Sequence, residues 1–197
     1  MDAEAVNPAA TLLDAVEAGD RQRGVPVAGP QGAAEAVTEA VRTERFVLLS
    51  IATTHYAVPE AFVTELERVP KMTPVPHVPA WLRGVTNLRG DILSVIDMRT
   101  FLGLDPTSPH SGRMLVVRLL DEEFSAGLLV DTVDQIVAVP ADDIRPPASP
   151  LEGPLVAYLS GVCVIGERLV AVLDLDRLLR SADIRQFDEL KDVEMGA

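Results

Sequence analysis

Cysteine is nearly absent from the sequence. Cys163 stands alone among 197 residues, so no intrachain disulfide can form and a reducing compartment is the simple reading. Aromatic residues are also scarce: five Phe, two Tyr and one Trp. Yet 48% of the residues are hydrophobic, so Val, Leu, Ile and Ala must fill the interior. Basic residues are few, 17 Lys and Arg against 30 Asp and Glu, for a formal net charge of -13. Nucleic acid and anionic membrane surfaces both demand clustered Lys and Arg, so both are disfavoured as partners. No apolar run approaches the roughly 18 residues of a membrane span, so no insertion into the bilayer is expected. The N-terminus lacks a basic stretch leading into an apolar run, and no secretory signal is expected.

Catalytic constellations are missing as well. There is no G-x-x-x-x-G-K-[ST], no G-x-G-x-x-G and no G-x-S-x-G. His55, His77 and His110 fall in expected turns and Pro-rich loops, and none has metal-ligand spacing with another His or with Cys163. Cys163 alternates with apolar neighbours in an expected strand and reads as a buried, inert thiol. With no nucleophile, base or metal cluster, neither a catalytic residue nor a cofactor or metal is expected.

What is present is a long series of short aliphatic runs separated by turn residues, the texture of an all-β chain. It occupies 45–181. Residues 1–44 are Ala-rich and acidic, with eight Asp and Glu against three Arg. Within them "TLLDAVEAG" (11–19) could form a short amphipathic helix, and 23–36 reads as linker. Residues 182–197 read as a polar tail. In the body, strands are expected at 45–52, 56–59, 62–69, 84–97 (a hairpin around Gly90), 113–120, 124–130 and 133–140. A last hairpin covers 156–175. Four prolines in 70–79 make that stretch an extended loop. "MRTFLGL" (98–104) reads as one helical turn with a glycine stop.

Part of the body is written twice. "GVTNLRGDILSVIDMRTFL" (84–102) lies over "GVCVIGERLVAVLDLDRLL" (161–179) without a gap. Gly84 meets Gly161, Val85 meets Val162 and Asp97 meets Asp174. Upstream, 46–58 and 114–126 match as hairpins. Each unit thus reads as hairpin, strand, loop, hairpin, Asp, short helix. Five strands are too few for an open sheet wet on both faces, so each unit is expected to close into a small barrel. Two barrels side by side would leave a groove between them, a common kind of binding place.

The repeat separates folding residues from others. Arg89-Gly90 becomes Gly166-Glu167 in the second copy, and Arg83 becomes Ser160. A hairpin turn has use for glycine, which takes positive φ cheaply, but none for arginine. Arg89 and Arg83 are therefore either solvated charges or fixed guanidinium groups ready for a partner's carboxylate or carbonyls. Asp97 and Asp174 each precede a short helix and read as N-caps. Trp81 either anchors the Pro-rich loop or offers contact surface. Glu65 and Glu67 share one strand face with Val63 and Val69, opposite Leu66 and Arg68, and alternation leaves open which face is buried. Asp131 and Asp134 read as surface or turn carboxylates, and the acidic runs 121–123 and 141–143 as solvated turns.

The stretches 78–104, 127–149 and 158–179, with G-V-x-N-L-R-G followed by V-I-D-x-R as the most specific motif, resemble the CheW family of bacterial chemotaxis coupling proteins; 46–69 is similar to its opening strands. The resemblance covers about 45 to 181. It implies two intertwined, five-stranded SH3-like barrels and a non-enzymatic scaffold. Such a scaffold bridges the cytoplasmic tip of methyl-accepting chemoreceptors and the regulatory domain of the histidine kinase CheA, in the cytoplasm, at membrane-associated receptor arrays. Matched to the family's motifs, Arg89 falls on the receptor side, with Glu65, Val133, Ile136 and Gly161 as groove positions. Val63 and Gly84 match first-barrel positions that the family ties to kinase or receptor docking, and they are assigned here to the kinase side. The long acidic N-terminal extension, Glu60 where an apolar residue is expected and the proline-rich loop all depart from the family pattern. They bear on which partners are served, so a gliding, twitching or non-motility pathway is the alternative, with a module that binds only kinase or only receptor.

Overall fold

The computed structural model describes residues 42–106, 112–147 and 156–187. The helix read at 11–19, the linker at 23–36, His110 and the tail beyond residue 187 lie outside the described residues.

Among the described residues ten strands and three short helices follow one another. The strands are β1 (Thr43–Ile51), β2 (Thr54–Pro59), β3 (Val63–Arg68), β4 (Leu82–Leu88), β5 (Asp91–Asp97), β6 (Arg113–Arg118), β7 (Ser125–Val130), β8 (Thr132–Pro140), β9 (Leu159–Ile165) and β10 (Arg168–Leu173). Helix α1 (Met98–Phe101) follows β5, and α2 (Leu175–Leu179) and α3 (Ala182–Arg185) follow β10. Both N-caps are as read. The Asp97 carboxylate accepts from the amides of Arg99 and Thr100, and that of Asp174 from Arg177. Gly103, at φ +75, stops the chain after α1.

The strands form two five-stranded sheets, in the orders β8-β1-β2-β10-β9 and β3-β6-β7-β5-β4. The repeat units are therefore not the barrels. Each sheet takes the opening hairpin of one unit and the last three strands of the other. The exchange is sealed by two parallel pairings, β2 with β10 and β5 with β7. The one-unit, one-barrel expectation fails because short aliphatic hairpins of similar length pair equally well with either copy. Which copy they join is set by the route of the chain at two crossings: after Pro59, where a single 3-10 turn leads from β2 into the other sheet, and at Asp131, where the chain passes from β7 back to β8.

Each sheet closes on itself. The chain leaving β3 runs to Thr73, which exchanges two backbone hydrogen bonds with Val85 on β4, at 2.8 and 2.9 Å. The chain leaving β8 does the same through Arg145 and Val162 on β9, at 2.9 and 2.8 Å. Two glycines make the closures possible. A Cβ on Gly84, which sits at φ +136, would lie 2.2 Å from the Thr73 carbonyl oxygen. One on Gly161 would lie 2.8 Å from the Arg145 oxygen. No side chain fits at either place.

The unbroken aliphatic runs now have a cause. Along the central strands one set of alternate residues fills a barrel and the other fills the space between the barrels. Phe46, Ala57, Cys163, Val170 and Val172 fill the first barrel; Leu93, Val95, Met114, Val116 and Leu129 fill the second. Leu49, Tyr56, Val58, Leu115, Val117, Leu128 and Leu173 meet between them in the largest cluster. The sequence reading places a groove at this seam; in the structure a shared core runs along it. Met114 also reaches over Gly127 on the neighbouring strand, where a Cβ would lie 2.6 Å from its sulfur.

The C-terminal stretch is more than a polar tail. Ile184 of α3 is buried, and the Phe187 ring stands edge-on to Trp81 at 5.6 Å. Trp81 meets Phe101 in the same way at 5.5 Å, so it is an anchor within the core cluster. The acidic turn 121–123 is likewise not merely solvated: Asp121 and Glu122 pair with Arg180, and Glu122 also with Arg185, whose guanidinium lies 4.8 Å from the Phe124 ring.

Candidate partner-binding surface

Arg89 occupies the first position of the two-residue turn between β4 and β5. Its φ is +57, and Gly90 follows at φ +104. Successive positive φ values mark the tight turn whose twist suits a hairpin, and both positions favour glycine or asparagine. Arg89 is thus held in a backbone region that a side chain makes unfavourable. The turn is braced by Asn87, whose Oδ1 accepts from the Gly90 amide at 3.0 Å.

Across the closed edge of the barrel stands Glu65 on β3. Its Oε1 accepts from Arg89 Nη1 at 2.9 Å, while its Oε2 is buried with no hydrogen-bond partner. The arginine side chain remains 72% exposed and that of Glu65 26%. The pair thus presents free guanidinium N–H donors over an unsatisfied carboxylate oxygen. The alternation left open by the sequence is settled here: Val63, Glu65 and Glu67 face partly inward, and Leu66 and Arg68 outward.

The other matched positions divide between barrels. Val63 begins β3 and Val133 lies on β8; both are half-buried against the shared core. Ile136, also on β8, is 49% exposed. Leu66, equally exposed at 49%, is its counterpart in the other barrel: Ile136 pairs with Val47 of β1, and Leu66 with Leu115 of β6, the residue that the repeat aligns with Val47. Sequence reading missed Leu66 as surface, although the repeat would have pointed to it. Gly84 and Gly161 are buried beneath the closing segments. The structure thus joins Arg89 and Glu65 directly; Val63 shares β3 with Glu65 and Gly84 lies on β4 before the turn, while Val133, Ile136 and Gly161 lie on β8 and β9 of the other barrel.

Two further charges have structural work. Arg83 Nη1 lies 3.0 Å from Oδ2 of Asp97, whose side chain is fully buried. Asp131 accepts from the Ala52 amide at 2.6 Å and from Arg99 at 2.9 Å, tying the β1–β2 turn to α1. Asp134 lies 3.8 Å from Arg168 and accepts from the Thr132 hydroxyl. Cys163 is buried in the first barrel, and burial foremost, with Asp143 second, pushes its thiol pKa up. Among the described residues no three His, Cys, Asp or Glu gather as a metal site, and no helix is long and apolar enough to cross a membrane.

Fold and surface together define a class: all-β proteins of two closed barrels with exchanged hairpins, presenting an arginine–glutamate pair at a strand turn. Within that class the chain belongs to the CheW-like domain family, whose model matches residues 45–183. It is 26% identical over 147 residues to "Chemotaxis protein CheW" of Klebsiella aerogenes, covering 75% of this chain and 88% of that protein. It is 37% identical over 109 residues to "Protein PilI" of Pseudomonas aeruginosa, covering 54% of this chain and 60% of that one. Among solved structures it is similar to the scaffolding protein TtCheW from Thermoanaerobacter tengcongensis, with a TM-score of 0.62 at 25% identity, over 72% of this chain and 96% of the other.

Proposed function

We propose that the protein is a non-catalytic adaptor that couples the cytoplasmic tip of methyl-accepting chemoreceptors to the regulatory domain of a CheA-type histidine kinase. One observation carries the reading beyond family membership: Arg89 is kept at a strained turn position where glycine would fold more easily, and its guanidinium is exposed over Glu65. A residue held against its backbone preference points to a role outside folding. Receptor tips are helical hairpins. Their exposed carboxylates and helix-end carbonyls suit a fixed guanidinium, and their apolar stripe suits Ile136 and Leu66. On this reading Val133 and Gly161 shape the receptor surface from beneath, and Val63 and Gly84 act on the kinase side through the form of the barrel.

The test is co-capture of the chain with a cognate receptor cytoplasmic fragment and the kinase. Both should be retained together. Arg89→Glu, which sets two carboxylates against each other, should weaken receptor capture about tenfold or more and leave kinase capture intact. Retention of neither partner by the unaltered chain would overturn the coupling role. The second reading, a module of a twitching or gliding pathway that holds only one partner, is favoured by the PilI likeness. It predicts binary complexes and no ternary one.

A further inference from the structure

The repeat allows each barrel to be read against the other, and besides the Arg89 turn they differ beside the helix cap. Arg83 on β4 corresponds to Ser160 on β9, and Asp97 to Asp174, each the N-cap of the helix that follows. In one barrel the Arg83 guanidinium lies on the Asp97 carboxylate at 3.0 Å. In the other the short Ser160 side chain turns instead to the Val172 carbonyl, at 3.2 Å. A cavity of about 340 Å³ opens there, with Ser160, Asp174 and Glu44 among its polar residues and Phe46, Phe62 and Leu173 among its apolar ones. Among the described residues neither Asp174 nor Glu44 is paired with a lysine or arginine.

We propose that this cavity receives an arginine side chain from a partner protein, in the place that Arg83 fills in the other barrel. The guanidinium would bond the Asp174 carboxylate, with Glu44 as the second anion, and its methylene stem would lie against Phe46, Phe62 and Leu173. Arginine fits better than lysine because a planar fork can serve two carboxylates at once and sheds its water more readily. A metal ion fits poorly: the walls are largely apolar and the carboxylates are two. The inference is separate from the Arg89 surface and needs neither receptor nor kinase.

The test is an NMR titration of the isotope-labelled full chain with N-acetyl-arginine amide, with N-acetyl-citrulline amide as the uncharged isostere. Saturable shifts should centre on the amides of Ser160, Val172, Asp174 and Leu175, and the citrulline probe should bind at least about tenfold more weakly. Asp174→Asn keeps the helix cap, since asparagine caps as well as aspartate, and should weaken the arginine probe about tenfold or more. Ser160→Arg should fill the cavity from within, abolish probe binding and raise the melting temperature. No saturable shift, equal binding of the two probes, or undiminished binding by Ser160→Arg would overturn the proposal. So would probe binding that appears only when Arg21 and Arg23 are both changed to Ala, because the occupant would then be this chain's own N-terminal segment.

Discussion

On the proposed function, Arg89 sets stability against partner binding at a single residue. Its left-handed backbone costs a non-glycine residue about 1 kcal/mol. Arg89→Gly should therefore raise the unfolding free energy by up to about 1 kcal/mol in urea titration, part of the gain being offset by the looser unfolded chain, while receptor capture falls. A variant that is both less stable and fully competent would contradict the role given to this turn. Two other residues report on burial through pH. Burial pushes up the thiol of Cys163 and the hydroxyl of Tyr56; for Tyr56 a hydrogen bond with Thr54 opposes the shift. Both groups are kept protonated by the fold, so the unfolded chain releases these protons first. Their contribution is fully present below the ordinary thiol value of 9.0 and is lost as pH rises above it, with tyrosine following above 10.0. Unfolding free energy should thus decline at alkaline pH, and Cys163→Ala should flatten the first part of that decline.

At the scale of elements, α3 shows how a polar segment can belong to a core. Three of its four residues are Ala, Asp and Arg, yet Ile184 is buried and the chain beyond it sets Phe187 against Trp81. The Arg180, Arg185, Asp121 and Glu122 network holds this end against the β6–β7 turn. Exposed pairs of this kind contribute little each, so the aromatic contact should dominate. Phe187→Ala should cost about 2 kcal/mol, less than for a fully buried Phe, and shift the emission of Trp81 to the red. Trp81 is the sole tryptophan of the chain, so the signal is unambiguous. Unchanged emission would mean that Phe187 does not cover it.

For the molecule as a whole, the exchanged hairpins make the halves interdependent. Neither barrel can be completed from one repeat unit, and the pairings β1–β8 and β2–β10 span most of the described chain. Fragments 1–106 and 107–197 should each lack cooperative unfolding when made separately, and should recover strand circular dichroism and a single transition when mixed. A cooperative melt from either fragment alone would show that its hairpins can close without the other half. Pairings so distant in sequence also place folding among the slower small domains, since loop closure precedes the contacts that repay it.

Much of this was legible in the residues because its causes are local. Short aliphatic runs, the prolines of 70–79, glycine at Gly90 and Gly103, and aspartate before a helical turn each act within a few positions of themselves. The repeat showed that two barrels were being built, and the family motif singled out Arg89. Tertiary structure alone decided which hairpin joined which barrel, because aliphatic strands carry no partner label and only the path of the chain chooses. It alone placed Glu65 beneath Arg89 and Arg83 on Asp97, at separations of 24 and 14 residues that no local pattern encodes. It also revealed that Gly84 and Gly161 are fixed by backbones passing too close for any side chain, a constraint that exists only once each barrel has closed.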